Sequence, residues 1–157
     1  MKLLVLSDSH GEAGRLSAAL DAHPDALDVV FLGDGARDVE TIEGAYPERR
    51  FYCVRGNCDF ASFLPAEGLV PFGGMNFYYT HGHLHGVKTG LELLADQARQ
   101  MGAQVALYGH THRARMERWN SLVLFNPGSI SSDRGSGSYG ILTVEDGKLD
   151  AAFGVVD

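Results

Sequence analysis

Cysteine is scarce in this chain: Cys53 and Cys58 are the 2 cysteines among 157 residues. So few thiols exclude a disulfide scaffold and the paired thiolates of a structural zinc site, and they suit a reduced compartment. Positive charge is also in short supply, with 13 Lys and Arg against 20 Asp and Glu and a formal net charge of -7. A basic face that would grip nucleic acid through its phosphates is therefore not expected. Long apolar runs are missing too. The opening MKLLVLSDSH lacks the longer apolar core and small-residue cleavage site of a signal peptide, and no stretch approaches the ~20 apolar residues of a membrane helix. The expectation is one cytoplasmic domain over 1–157, with no membrane and no nucleic-acid partner.

The 45% hydrophobic content allows one sizeable core. KLLVLS (2–7), DVVFLGDG (28–35) and FYCVRGNCD (51–59) read as buried strands, each running into a Gly and polar loop. The first two are followed by helical segments, EAGRLSAALDAH and ARDVETIEG. This alternation predicts a sheet with parallel strands covered on both faces. Past Pro65, LVPF and MNFYYTHGH flank Gly73 and Gly74 as a hairpin, and a helix is expected over 89–102. The strands AQVALYGHTH, RARMERW, SLVLFNPG, SYGILTVEDG and KLDAAFGVV predict a mostly antiparallel second half.

Five polar clusters each follow an apolar strand directly: Ser7-Asp8-Ser9-His10-Gly11, Gly33-Asp34-Gly35, Gly56-Asn57-Cys58-Asp59, Thr80-His81-Gly82-His83 and Gly109-His110-Thr111-His112. Strand carboxyl ends form the ligand rim of open α/β sheets, so clusters distant in sequence can converge there. Carboxylate, amide oxygen and imidazole together suit Mn, Fe, Co, Ni or Zn. Alternate residues past a strand end can point to one side, as Asp8 and His10 or His110 and His112 would. Asp8, His10, Asp34, Asn57, His81, His110 and His112 are thus candidate ligands. They are too many for one ion with an open position, and suit two ions sharing a carboxylate. All but His23 of the 7 histidines lie in or beside these clusters, and His23, before Pro24, is expected to face solvent.

The order SDSHG, GDG, GNCD, THGH, GHTH resembles the calcineurin-like metallophosphoesterase superfamily over the whole chain. The short length, GNCD and the late FNPGS are most similar to its small YfcE-like phosphodiesterases. The resemblance implies a four-layer α/β/β/α sandwich of two mixed sheets flanked by helices. It also implies two divalent ions, manganese first among Mn, Fe, Ni, Co and Zn. Asp8, His10 and His112 would hold the first and Asn57, His81 and His110 the second, with Asp34 bridging. The implied reaction is hydrolysis of a small phosphoester, with a hydroxide shared by the ions attacking in line. A homodimer or homotetramer is the implied assembly.

Cys58 stands where many members of the superfamily have a histidine that protonates the leaving oxygen, and a thiol is less well tuned to that task. Candidate acids are therefore Cys58 and His83, and candidate substrate contacts are Asn57, His83 and Arg134, whose guanidinium matches phosphate geometry. Asn126 and Gly128 are expected to set a turn beside the rim, Cys53 to fill the core, and Arg37 and Arg55 to be solvated. His85 is expected to carry no function. The alternative is a protein-binding scaffold, the role of the retromer subunit of the same fold, where the ligand set is incomplete. A nuclease is disfavoured by the lack of a basic face and a capping domain.

Overall fold

The computed structural model describes residues 1–133 and 135–157. Ten strands form two five-stranded sheets. The first half supplies β1 (Lys2–Leu6), α1 (Ala13–Ala22), β2 (Asp28–Phe31), α2 (Ala36–Ile42), β3 (Arg50–Cys53), β4 (Glu67–Phe72) and β5 (Met75–Thr80). There follow α3 (Glu92–Gln100), β6 (Val105–Leu107), β7 (Ala114–Trp119), β8 (Leu122–Pro127), β9 (Gly137–Glu145) and β10 (Lys148–Val156). The first sheet has the order β10-β9-β1-β2-β3 and the second β4-β5-β6-β8-β7.

Period-two alternation decides which side chains meet which layer. On β1, Leu3 and Val5 face the second sheet, joining Val30, Leu32, Phe77, Val105, Leu107 and Phe125 in the inner core. Leu4 and Leu6 point the other way, onto Leu16, Ala19 and Leu20 of α1 and Val39 of α2. The outer face of the second sheet presents Tyr78, Ala106 and Leu124 to Leu94, Ala95 and Ala98 of α3. The layers are thus α/β/β/α, as the family resemblance implies. Burying each of these large side chains contributes about 1.5–3 kcal/mol.

The second half is less uniformly antiparallel than its strand pattern predicts. β5, β6 and β8 pair in parallel, while β9 and β10 leave their neighbours in sequence and extend the first sheet beside β1. A strand buried on both faces is apolar throughout whatever lies against it, so its pattern is silent on which sheet it joins. The helix expected over 89–102 begins only at Glu92, because Thr89 closes a turn onto the Gly86 carbonyl through its N–H and hydroxyl. His23 does not simply face solvent either: it is half-buried and its Nε2 lies 2.9 Å from the Tyr139 hydroxyl.

Parallel pairing sends the carboxyl ends of β1, β2 and β3 to one rim, and those of β5, β6 and β8 likewise. Within the second rim the Gly109 N–H donates to the His81 carbonyl, and the two rims are joined where the Ile130 N–H, just past β8, donates to the Ser7 carbonyl, just past β1. All five polar clusters therefore open onto the same edge of the sandwich.

Candidate metal centre

Asp8, His10, Asp34, His110 and His112 adopt left-handed backbone conformations, with φ between 45° and 73°. For residues with a Cβ this costs about 1–2 kcal/mol each, and such strain concentrates where a site needs it. Close backbone approaches make room for it. A Cβ on Gly33 would fall 2.5 Å from the Gly56 nitrogen, and one on Gly56 would fall 2.1 Å from Asp34 Oδ1. Glycine at both positions lets the loops after β2 and β3 touch.

The side chains so placed turn acceptor atoms toward one another. His81, fully buried, has Nδ1 2.6 Å from the Leu32 carbonyl, a contact only an N–H can make, which leaves Nε2 as the lone-pair nitrogen of the neutral ring. That Nε2 faces Asn57 Oδ1 at 3.0 Å, His110 Nδ1 at 3.2 Å and Asp34 Oδ2 at 3.3 Å. His112 repeats the arrangement: Nδ1 is 2.6 Å from Asp133 Oδ2, while Nε2 lies 3.2 Å from both Asp8 Oδ1 and His10 Nε2. Asp8 Oδ1 is buried without a hydrogen-bond partner among the described residues. Lone pairs gathered this closely repel unless a cation lies among them, so the donor set fits divalent metal.

Ligand atoms fall into overlapping groups, each within 4.8 Å: Asp8, His10 and His112; Asp34, His81 and His110; and His10, Asp34 and Cys58. Burial opposes charge on Asp8, yet the surrounding His10, His112 and His81 outweigh it and hold the carboxyl far below its ordinary range. Burial and the neighbouring His81 push His110 down to about 4, whereas Asp8, then Asp133, push His112 up to about 9.

Several positioning groups were not singled out in the sequence. Both oxygens of Asp59 accept from backbone N–H groups: those of Asp34 at 2.7 Å, Gly56 at 2.8 Å, and Gly35 and Ala36 at 2.9 Å. Asp38 accepts from the Ser9 hydroxyl at 2.6 Å and the Gly11 N–H at 2.9 Å, so α2 braces the loop after β1. Glu12 takes the Ser132 N–H and hydroxyl, next to the Asp133 that orients His112. Asp59 was visible as the last letter of GNCD. The others have partners 21 to 120 residues away, beyond any local pattern.

His83 lies beside the cluster, its ring centroid 5.4 Å from His81 and 6.1 Å from His110, and its Nδ1 is buried without a partner among the described residues. Cys58 is exposed, with burial of its sulfur and Asp34 raising its thiol. His85 packs edge-on against Tyr78. Asn126 is buried and does set the turn, its Oδ1 accepting the Gly128 N–H at 2.9 Å while its Nδ2 reaches Gly109 and Thr111. Arg55 is not simply solvated, since its guanidinium donates to the Leu64 carbonyl at 2.6 Å. Arg134 lies outside the described residues.

Cys53 is half-buried against the core between the first sheet and α1 and α2, where burial pushes its thiol up to about 12. At pH 9 roughly one molecule in a thousand would carry the thiolate there. Native protein treated with iodoacetamide at that pH should take one label, on Cys58, and a second only in denaturant. Peptide mass mapping that finds Cys53 labelled in folded protein would contradict this.

Two packed mixed sheets with a His and Asp cluster at their shared rim define a metallophosphoesterase fold, and comparison with known proteins agrees. Residues 1–147 match the model of the calcineurin-like phosphoesterase superfamily domain, and the chain belongs to that family. The probable metallophosphoesterase YsnB of Bacillus subtilis is 36% identical over 157 residues, covering 98% of this chain and 90% of its own. Phosphodiesterase YfcE of Escherichia coli K12 is 31% identical over 169 residues, covering 90% and 87%. A crystal structure of a predicted phosphoesterase from Streptococcus pneumoniae TIGR4 superposes with a TM-score of 0.83 at 28% identity, covering 97% of this chain and 87% of its own. Vps29 from Entamoeba histolytica, crystallised with Zn2+, shares the fold with a TM-score of 0.78 at 22% identity over 100% of this chain and 99% of its own.

Proposed function

We propose that this chain is one domain that hydrolyses phosphodiesters with two divalent ions, manganese serving best. The observation that carries the reading is the inward turn of the lone pairs on His81 and His112, each set by a partner on the far side of its ring. Asp8, His10 and His112 would hold one ion, Asn57, His81 and His110 the other, and Asp34 both. When bound, such ions neutralise charge on phosphoryl oxygens and acidify water to a nucleophile.

The chain's own groups do the rest. The Leu32 carbonyl and Asp133 keep the two imidazoles in the tautomer that presents Nε2. Asp59 fixes the loop carrying Asp34, and the Asn126 turn fixes the backbone around His110. His83 is the proposed substrate contact beside the cluster, and Cys58 and His83, which both border it, are the proposed donors of a proton to the leaving oxygen. No helix among the described residues is long and apolar enough to cross a membrane. The proposed compartment is the cytoplasm, in keeping with the two free thiols.

The test is hydrolysis of bis-p-nitrophenyl phosphate by metal-stripped protein before and after manganese, with the monoester in parallel. Manganese is expected to restore cleavage, faster for the diester. Protein inert with manganese, nickel and iron alike would transfer the role to the scaffold reading. An ion held at 100 times its Kd should also stabilise the fold by about 2.7 kcal/mol, seen as a rise in Tm reversed by EDTA.

A further inference from the structure

Beside the metal cluster lies a cavity of about 720 Å³, lined by His10, Asp34 and Cys58 and also by Arg37, Phe60 and Phe63. The two phenylalanines are bare: Phe60 is 83% exposed and Phe63 104%. Such exposure forgoes about 1.5–3 kcal/mol per ring that burial would recover. A loose loop would fold these rings inward, but this one is held at both ends. Asp59, directly before Phe60, accepts its four backbone N–H bonds. After Phe63, the Leu64 carbonyl is taken by the Arg55 guanidinium and the Pro65 carbonyl by the Arg55 N–H. Between the rings Ala61 sits at φ 61°, a conformation costly for alanine.

We infer that Phe60 and Phe63 form a stacking wall for a planar aromatic group, aryl or nucleobase, on the phosphodiester whose phosphate lies at the metal cluster. The inference rests on the proposed phosphodiesterase reading and specifies its substrate class. Three observations select this occupant over a purely aliphatic one. The wall opens into the same cavity as His10 and Asp34, so a group stacked there is covalently within reach of a phosphate at the cluster. Both rings are bare to solvent and line the cavity, and an exposed aromatic surface gains most from another π-system. The same cavity is also lined from α2, where Arg37 and Glu40, one turn apart, offer donors and an acceptor to the polar edge of a planar ring.

The experiment uses full-length manganese-loaded protein and three diesters sharing p-nitrophenol as leaving group: methyl, phenyl and thymidine 5′ esters. A common leaving group makes the ratio of kcat/KM values report only the second substituent. The phenyl or thymidyl ester, or both, should exceed the methyl ester by about 10-fold in the wild type, the size of one stacking contact. The double variant F60A/F63A should bring those ratios close to one. F60L/F63L, which keeps apolar area without a π-face, should lose most of the preference, and circular dichroism checks that both variants fold. A preference confined to the thymidyl ester identifies the base as occupant, and one confined to phenyl identifies a simple aryl group. Ratios unmoved by either variant overturn the stacking wall and leave the two-metal reading standing. No turnover of any ester overturns that reading and the wall with it. A wild-type dimer that becomes monomeric in F60A/F63A, measured by light scattering, assigns the rings to a second copy and also overturns the wall.

Discussion

Replacing Asp34 by asparagine is expected to reduce diester hydrolysis by at least 10²–10³-fold, roughly the cost of deleting one strong catalytic electrostatic contact, while leaving the fold intact. The substitution is nearly isosteric. Oδ1 accepts the Cys58 N–H at 2.8 Å, and an amide oxygen can keep that bond. Oδ2 faces His81 Nε2 at 3.3 Å and His10 Nε2 at 3.9 Å, one ring from each group of candidate ligands. An amide nitrogen there would present N–H where an acceptor is required, and the charge that balances a cation would be gone. Metal content after dialysis should fall for both ions, because one side chain serves both. Circular dichroism and Tm of the stripped variant should match the stripped wild type within a few degrees. Wild-type turnover by D34N would sink the two-metal assignment.

Asp59→Ala should have a large effect on stability for a substitution outside the core. It removes the common acceptor of four backbone N–H groups, on residues 34, 35, 36 and 56. A charged acceptor is worth about 1.5–3 kcal/mol per bond at most, and water will recover some of these donors in a half-buried place, so a loss of about 3 kcal/mol is expected. For a chain of this length that lowers Tm by roughly 6–12 °C. Because the released loop carries Asp34, metal affinity should also fall by about 10–100-fold, as when an outer partner of a ligand is removed. Asp59→Asn retains one acceptor oxygen and should fall between the two. Denaturant midpoints and metal titrations of the three proteins check the order. An alanine variant equal to wild type on both measures would show that Asp59 holds nothing in place.

The first of these predictions was open to a reader of the sequence; of the second only the residue was, as the last letter of GNCD, and not its role. Asp34 stands in a Gly-Asp-Gly turn after a buried strand, one of five such turns, so residue type and spacing mark it. Asp59 looks like any acidic turn residue. Its four donors come from the loops after β2 and β3, which touch only because glycine occupies 33 and 56. The same holds for Asp133 and the Leu32 carbonyl, which turn His112 and His81 toward the cluster from segments 21 and 49 residues away.

The order of residues thus settles what is local and chemical. It set where strands begin and end, through apolar runs closed by glycine and polar residues. It also set which side chains carry ligand chemistry, because Asp, Asn and His follow those strands and little else in the chain is so placed. Tertiary structure decided the rest. It sent β9 and β10 back beside β1 and put β5, β6 and β8 in parallel, since doubly buried strands are apolar whichever sheet they join. It chose the tautomers of His81 and His112, held Asp34 through Asp59, and left Phe60 and Phe63 standing in solvent beside the cluster. Each of these depends on contacts between segments far apart in sequence, and such contacts leave no period for a local pattern to reveal.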